Sequence, residues 1–186
     1  MRDRSWAAIA ALMLVVTSVT VPGWCENEQL TVVQDESSME RVIEGYLKAN
    51  CKEEVQEKQA AEGDLALVVK MKGEGGPDFS VLVDTQASNR DSAGNVLERF
   101  VTVQVFTGVE VPEERRAAVF EALNKFQADS WYASIYIDED KELSCQWCVN
   151  VMKQGMHTEY VADAIIRVAE TWRKFRPQAE KALGGK

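Results

Sequence analysis

Cys145 and Cys148 have the Cys-x-x-Cys spacing of thiol–disulfide redox sites. That chemistry requires the first thiol at the N-terminus of a helix, where the helix dipole lowers its pKa. Both cysteines fall in a predicted strand, and a separation of three residues places their side chains on opposite faces. The pattern therefore favours a small buried residue at Cys145 and an incidental thiol at Cys148. A periplasmic thiol redox protein using both residues remains the alternative function.

The other residue types with chemical potential do not form a recognisable site. His157 is the one histidine, so a multi-histidine metal site within one chain is excluded, and a general base would need a nucleophile to which nothing points. The acidic run Asp138–Glu142 is not followed by the central glycine and the later glutamate of an EF-hand loop. With 21 basic and 30 acidic residues the net charge is −9, which disfavours nucleic acid as a partner. We predict no catalytic, cofactor-binding or metal-binding residues.

The first 25 residues have the three-part layout of a secretory signal peptide. Arg2 and Arg4 give a positive start, and an uncharged stretch of 16 residues, Trp6–Val21, precedes Pro22-Gly23. That stretch is short for a membrane span, which needs about 20 residues. We predict cleavage near Cys25, a periplasmic or secreted bacterial protein, and no membrane contact after cleavage. An uncleaved anchor, or a lipoprotein with lipid on Cys25, is the alternative.

The remaining chain is predicted to hold a flexible lead-in, residues 26–37, and one domain, residues 38–183. Ser37 and Glu40 resemble a capping box at the start of a helix. Apolar residues at helical spacing extend that first helix over Ser38–Gln59.

Five later stretches alternate between apolar and polar residues, as half-buried strands do. These strands are predicted at Leu65–Lys72, Phe79–Thr85, Leu97–Thr107, Trp131–Ile137 and Leu143–Met152. Pro112 suits the start of a second helix, and Thr158 precedes a third, which Pro177 ends or kinks. The fold class is α+β: a five-stranded, largely antiparallel sheet with three helices, in the order α-β-β-β-α-β-β-α. The helices should cover one face of the sheet.

The C-terminal half carries a more specific pattern. One helix holds Pro112, Arg116, Val119, Leu123 and Asn124; the strand Trp131–Ile137 ends in Asp138; and a further strand leads to Gly155 and Thr158. This pattern resembles the YbjN family, which shares the fold of type III secretion chaperones, and the resemblance covers about residues 38–176. One departure is the turn after Asp138, which reads Glu-Asp-Lys where a glycine is more usual. The resemblance implies a small protein-binding or regulatory domain, often dimeric, with no established catalytic residues.

Alternation in the last two strands places a set of side chains on the face away from the predicted helices. If the helices cover one face only, the other exposes a candidate interface formed by Tyr132, Tyr136, Cys148 and Met152. The second helix or the lead-in could cover this face instead, and the sequence leaves both alternatives open. The leading hypothesis is an exported, non-enzymatic protein-binding or regulatory domain of the YbjN type that acts through a homodimer or a partner surface.

Three cysteines remain after the predicted cleavage. Cys51 continues the row of Ile43 and Leu47 at four-residue spacing, so it faces the sheet, and Cys145 points to the same core. In an oxidising compartment a Cys51–Cys145 disulfide is one expectation, and two buried free thiols are the other.

Overall fold

The computed structural model describes residues 29–59, 65–127, 133–151 and 153–185. The predicted signal peptide and three of the residues singled out above, Trp131, Tyr132 and Met152, lie outside these ranges. In the described ranges the elements are β1 (Gln29–Leu30), α1 (Glu36–Asn50), β2 (Glu54–Gln59), β3 (Leu65–Met71), β4 (Phe79–Arg90), β5 (Val96–Glu110), α2 (Arg116–Gln127), β6 (Ser134–Ile137), β7 (Glu142–Val151), β8 (Met156–His157) and α3 (Glu159–Ala182).

The predicted α+β class with three helices and an antiparallel sheet is confirmed, with a correction to the strand count. The main sheet has six strands in the order β2-β3-β4-β5-β7-β6, not five, and all neighbours are antiparallel. A separate two-stranded ribbon pairs β1 with β8. The central strand β5 pairs with β4 on one side and with β7 on the other, so its two pairings fix the register between the halves of the sheet.

One face of the sheet packs against α1, α2 and α3 and forms a single hydrophobic core. Val101, Val103 and Val105 of β5 are fully buried in that core, as the two-residue alternation predicted. From α3, Val161, Ile165, Val168, Trp172 and Phe175 enter the same cluster, again at the predicted positions. Phe126 of α2 meets Phe175 with ring centroids 5.2 Å apart. Ile135 and Val151 are also buried on this face, and Ile137, Trp147 and Val149 pack partly against it.

The first helix is shorter than predicted, and its end is the source of the missed strand. α1 stops at Asn50, and residues 54–59 form the edge strand β2. The apolar row through Val55 continued across the boundary because Val55 faces the same core from a strand. β2 reads Glu-Val-Gln-Glu-Lys-Gln, and this charged composition protects a sheet edge from pairing with other chains.

The segment before α1 is held against the domain from Gln29 onward. Leu30 is fully buried and Val32 is 8% exposed, so the described part of the predicted flexible lead-in contributes to the core. The cap of α1 is Asp35 rather than Ser37, because the Asp35 carboxylate accepts a hydrogen bond from the Ser38 amide at 2.8 Å. The Ser38 hydroxyl also donates to this carboxylate at 2.8 Å, and the two hydrogen bonds hold the pKa of Asp35 below its usual value.

A buried polar cluster joins this segment to the sheet. Arg99, 5% exposed, donates from Nε to the Val32 carbonyl at 3.1 Å and pairs through Nη1 with the Glu36 carboxylate at 3.2 Å. Glu40, predicted as a capping residue, is instead buried at 1% exposure and accepts from the Thr85 hydroxyl at 3.0 Å. Removing one partner from this cluster would leave an uncompensated buried group, which is destabilising.

Two features of the C-terminal half differ from their sequence-based expectation. α3 runs past Pro177 to Ala182, so the proline does not end the helix. Phe120 of α2 is predicted from the sequence to lie on the apolar face of that helix with Val119, Leu123 and Phe126. It is instead 46% exposed, whereas Val119 and Leu123 are buried.

The β6–β7 turn explains the departure noted after Asp138. The Asp138 carboxylate accepts from the Glu142 amide and from the Ser144 hydroxyl, both at 2.9 Å, and so closes a tight turn. Lys141 has φ +66°, the left-handed conformation that favours glycine. Among the described residues, Lys141 is the only one other than glycine with a positive φ. A lysine therefore occupies the position where a glycine is more usual.

Lys141→Gly is expected to stabilise the protein by about 1 kcal/mol, because glycine adopts the left-handed conformation without the steric penalty that a Cβ carries. The measurement is the midpoint of urea unfolding, followed by circular dichroism. Glu139→Gly in the same turn, whose φ is not positive, is the control and should bring no gain. Equal or lower stability of Lys141→Gly would show that the turn does not strain the lysine.

Candidate protein-interaction face

The outward side chains of β5, β7 and β6 form a continuous surface on the side of the sheet away from the helices. The register aligns Thr102 with Cys148, Gln104 with Gln146, and Gln146 with Ser134 on β6. We call this surface the open face; its ten residues are Phe100, Thr102, Gln104, Phe106, Ser134, Tyr136, Ser144, Gln146, Cys148 and Asn150. No helix of the described ranges packs on it.

The open face carries no charged residue. Charged residues make up 27% of the chain, so ten positions would hold about three at that frequency. Charged side chains appear instead where the strands leave this region, at Glu98 and Glu142, and on the neighbouring strands, at Asp84 and Lys70. An uncharged centre inside a charged rim is the arrangement typical of protein–protein interfaces.

Hydrogen bonds link the polar side chains of the open face across three strands. The Tyr136 hydroxyl donates to Gln146 Oε1 at 2.8 Å and accepts from Gln104 Nε2 at 3.3 Å. Gln146 Nε2 donates to the Cys148 Sγ at 3.2 Å, and Cys148 lies 3.8 Å from the Thr102 hydroxyl. The network therefore fixes these side chains in one arrangement before any partner arrives.

Ser144 connects the network to the β6–β7 turn. It is fully buried although it points outward, and its hydroxyl donates to Asp138 and accepts from Gln104 Nε2 at 3.4 Å. Burial raises the pKa of Tyr136, and the nearby Asp138 carboxylate adds to the effect, so the phenol stays protonated at neutral pH. The face thus offers neutral donors and acceptors together with the half-exposed ring of Phe106.

The structure brings together the two described members of the predicted interface, Tyr136 and Cys148. Tyr136 is half-buried and hydrogen-bonded rather than part of an apolar patch, and Cys148 is exposed. Tyr132 and Met152 remain predictions outside the described ranges. The β5 residues of the face were missed because only the pairing of β5 with β7 places them beside Cys148; their alternation with the buried valines was the available signal.

Both elements that could have covered the face lie on the helix side where they are described. α2 buries Val119 and Leu123 in the core together with α3, and the lead-in buries Leu30 and Val32 in that same core. In its described residues, neither element therefore lies on the open face.

The three described cysteines are free and lie in different surroundings. Cys145 and Cys148 occupy opposite faces of β7, so they cannot form a disulfide with each other without disrupting the strand. Burial raises the pKa of the Cys145 thiol to about 12, the reverse of redox activation. Cys51 ends α1, which packs on β2, β3 and β4, and its pKa is raised by burial and then by Glu53. The Cys51–Cys145 disulfide is not formed in the structure.

A groove lies at one end of β2, β3 and β4, apart from the open face. This groove has a volume of about 490 Å³ and is lined by three lysines, three acids, Met71, Phe79 and Ser80. Lys70 pairs with Glu54 at 3.3 Å and Lys72 pairs with Asp78 at 2.7 Å. Because its charges balance and largely pair with one another, the groove does not select a ligand charge.

The described ranges show neither a metal-binding cluster nor a helix that could span a membrane. In these ranges no three side chains of His, Cys, Asp or Glu come together in a way that could hold a metal ion. The helices there include none with the length and apolar character to cross a membrane.

The three thiols are expected to react with N-ethylmaleimide in a fixed order at pH 8. Cys148 should be labelled first because it is exposed, whereas Cys145 should react only after unfolding because it is buried and its pKa is about 12. Peptide mapping by mass spectrometry, with and without urea, measures the order. Labelling of Cys145 as fast as Cys148 in the folded protein would contradict the burial described above.

This chain is similar to known proteins in two of three comparisons. Residues 97–181 match the family model of YbjN, described as "Putative bacterial sensory transduction regulator". Among curated proteins, none gives a significant match. A solved structure, "Crystal structure of YbjN, a putative transcription regulator from E. coli", is similar at 15% identity with a TM-score of 0.46, covering 81% of this chain and 93% of that chain.

The matched family region begins in β5 and ends in α3, so it contains every strand of the open face. It also contains the residues on which the sequence resemblance rests. Residues 97–181 of this chain therefore match the YbjN family, as the resemblance in the sequence predicted.

Proposed function

We propose that this chain is an exported, non-enzymatic regulatory protein that acts by binding protein through its open face. The regulatory role follows the description of the YbjN family, and the site follows from one observation. That observation is the absence of charge from ten outward positions on three adjacent strands, inside a rim that carries both signs.

The physical reason is the cost of desolvation. Burying an unpaired charge at an interface is strongly unfavourable, whereas neutral groups that already have hydrogen-bond partners lose little when water leaves. Tyr136, Gln104 and Gln146 satisfy one another within the chain. A protein partner can therefore cover them without leaving buried groups unsatisfied, and the Phe106 ring adds apolar area.

The redox alternative has less support. A thiol enzyme would need Cys145 and Cys148 within reach of each other and at least one of them activated. The two point to opposite faces of β7, and burial raises the pKa of Cys145.

Tyr136→Glu is expected to reduce the recovery of bound protein by at least tenfold, because it introduces a charge into the uncharged open face and removes the Tyr136–Gln146 hydrogen bond. The measurement is pull-down from cell envelope fractions after cross-linking, with circular dichroism to verify folding. Tyr160→Glu on α3 is the matched control: Tyr160 is 55% exposed and lies far from the face, so binding should be unchanged.

Substitution of the residues that could serve a catalyst separates binding from enzymatic action. Cys145→Ala, Cys148→Ala and His157→Ala should each leave biological activity largely intact if the protein folds. If Cys148→Ala or His157→Ala abolished activity while Tyr136→Glu behaved like the wild type, an enzyme would be the better account.

The sequence of residues 1–25 supports export, and export with cleavage predicts the mass of the mature protein. The protein recovered from the periplasm or medium should have the intact mass of a chain starting at Glu26. A membrane-bound product of full length would indicate an uncleaved anchor. A mass increase on Cys25, with the preceding residues removed, would indicate a lipoprotein.

A further inference from the structure

We propose that the groove at the end of β2, β3 and β4 binds a short zwitterionic peptide of about three residues, with its free ammonium end at Glu53 and its free carboxylate end at Lys72. The groove and the open face have no residue in common, so this site goes beyond the proposed function and does not depend on it. Three features support it: the charges that line the groove, its width across the strands, and the contacts that hold its wall.

The charges of the groove favour a ligand that carries both signs. Three ammonium groups and three carboxylates line it, so their charges sum to zero: Lys52, Lys70, Lys72, Glu53, Glu54 and Asp78. A simple anion or cation would be attracted by half of these groups and repelled by the other half. A zwitterion can instead place each of its two charges beside a group of opposite sign.

Two of the lining groups can receive a ligand charge without giving up a partner. Glu53 is exposed and forms no ion pair with another described residue. Lys72, whose side chain is 88% exposed, uses one of its three donors on Asp78 at 2.7 Å, so donors remain for a carboxylate. The ion pair between Lys70 and Glu54, at 3.3 Å, stays intact in this arrangement.

The width of the groove sets the length of the ligand. Glu53 directly precedes β2, whereas the Lys72 ammonium lies against Asp78, which directly precedes β4. Because β3 lies between these strands, the two ends are about two inter-strand spacings, or about 10 Å, apart. An extended peptide covers about 3.4 Å per residue, so about three residues span that distance. The volume of the groove, about 490 Å³, is within the range of small-ligand sites.

Contacts with α3 hold the wall of the groove that carries Lys72. Arg173 donates to the Lys72 carbonyl at 2.7 Å, and its guanidinium lies over the Phe79 ring, 5.5 Å from the centroid. Asp78 accepts from the Gly73 amide at 3.1 Å, which fixes the turn between β3 and β4. Phe79 is half-buried and lines the groove, so an apolar side chain in the middle of the peptide can contact it.

The test is an NMR titration of the isotope-labelled chain starting at Glu26 with the tripeptide Ala-Phe-Ala. Amide shifts should change and saturate in residues 52–54, 70–72 and 78–80. Acetylation of the peptide's amino end, or amidation of its carboxyl end, should each weaken binding about fivefold, the effect of losing one exposed ion pair. Gly-Gly-Gly, which has no side chain to contact Phe79, should also bind more weakly than Ala-Phe-Ala.

Matched variants assign each end of the peptide. Glu53→Gln should weaken binding of the free peptide about fivefold but leave that of the acetylated peptide unchanged, because the acetylated peptide has no ammonium group to pair. Lys72→Gln should act in the same way on the free and the amidated peptide. Glu170→Gln and Lys174→Gln make the same charge changes at exposed positions of α3 and should leave binding unchanged. Circular dichroism verifies that each variant is folded.

Three results would overturn this assignment. The first is the absence of saturable shifts at millimolar peptide. The second is equal binding of the free and the acetylated peptide, since the C-terminus of any protein would then suffice. The third is a set of shifts confined to β5, β6 and β7. None of these results bears on the proposed function, which the recovery of bound protein with Tyr136→Glu tests separately.

Discussion

The structure depends on one geometric constraint: a six-stranded sheet has two faces, and the helices in the described ranges cover one of them. α1 covers β2, β3 and β4, and α3 covers β5 and β7, with α2 packed beside α3. Every large apolar residue of β5 and α3 that stabilises the fold points into this single layer. Burial of apolar area is the dominant favourable contribution to folding, at about 25 cal/mol per Å². The second face is therefore free of the requirement to hold the domain together.

The N-terminal segment shows how the edges of that layer are closed. Leu30 and Val32 extend the core beyond the ends of the helices, and Arg99 fixes the segment by bonding its backbone. Arg99 lies on β5 in the same inward row as the valines, so its guanidinium is held in the apolar layer and must find partners there. The Val32 carbonyl and the Glu36 carboxylate supply them, so a buried cation makes the segment part of the domain.

Much of this architecture follows from local sequence patterns, and the failures have specific physical causes. Alternation predicted β3, β5 and β7 because each has one buried and one open side. β2 was missed because it is an edge strand with one inward apolar residue, Val55, so it has too few apolar positions to show a period. Pro177 was expected to end or kink α3, and it does not end it: Trp172, Phe175 and Ala179 are buried on both sides of the proline, and this packing favours a helix that continues to Ala182. The family resemblance marked the Glu-Asp-Lys turn after Asp138 as lacking the usual glycine, and the backbone angle then places that position at Lys141.

The candidate site could be predicted only in part, because a sheet surface is created by strand pairing. Tyr136 and Cys148 were found from alternation within β6 and β7. Gln104 and Thr102 are more than 30 residues away along the chain, and only the register of β5 against β7 brings them to the same surface. A second limit is chemical: the sequence indicated an apolar patch, whereas the face consists largely of neutral hydrogen-bonding groups.

That chemistry suits a surface that is exposed to water in the free chain and covered in a complex. A strongly apolar face would aggregate when uncovered, and a charged face would resist being covered. Glutamine, threonine, tyrosine and serine are hydrated well in the free chain. Their bonds to one another, such as Tyr136 to Gln146 at 2.8 Å, remain when water is excluded. The absence of charge on the open face is therefore not a consequence of folding, which buries the other face. It supports the proposal that this face binds protein.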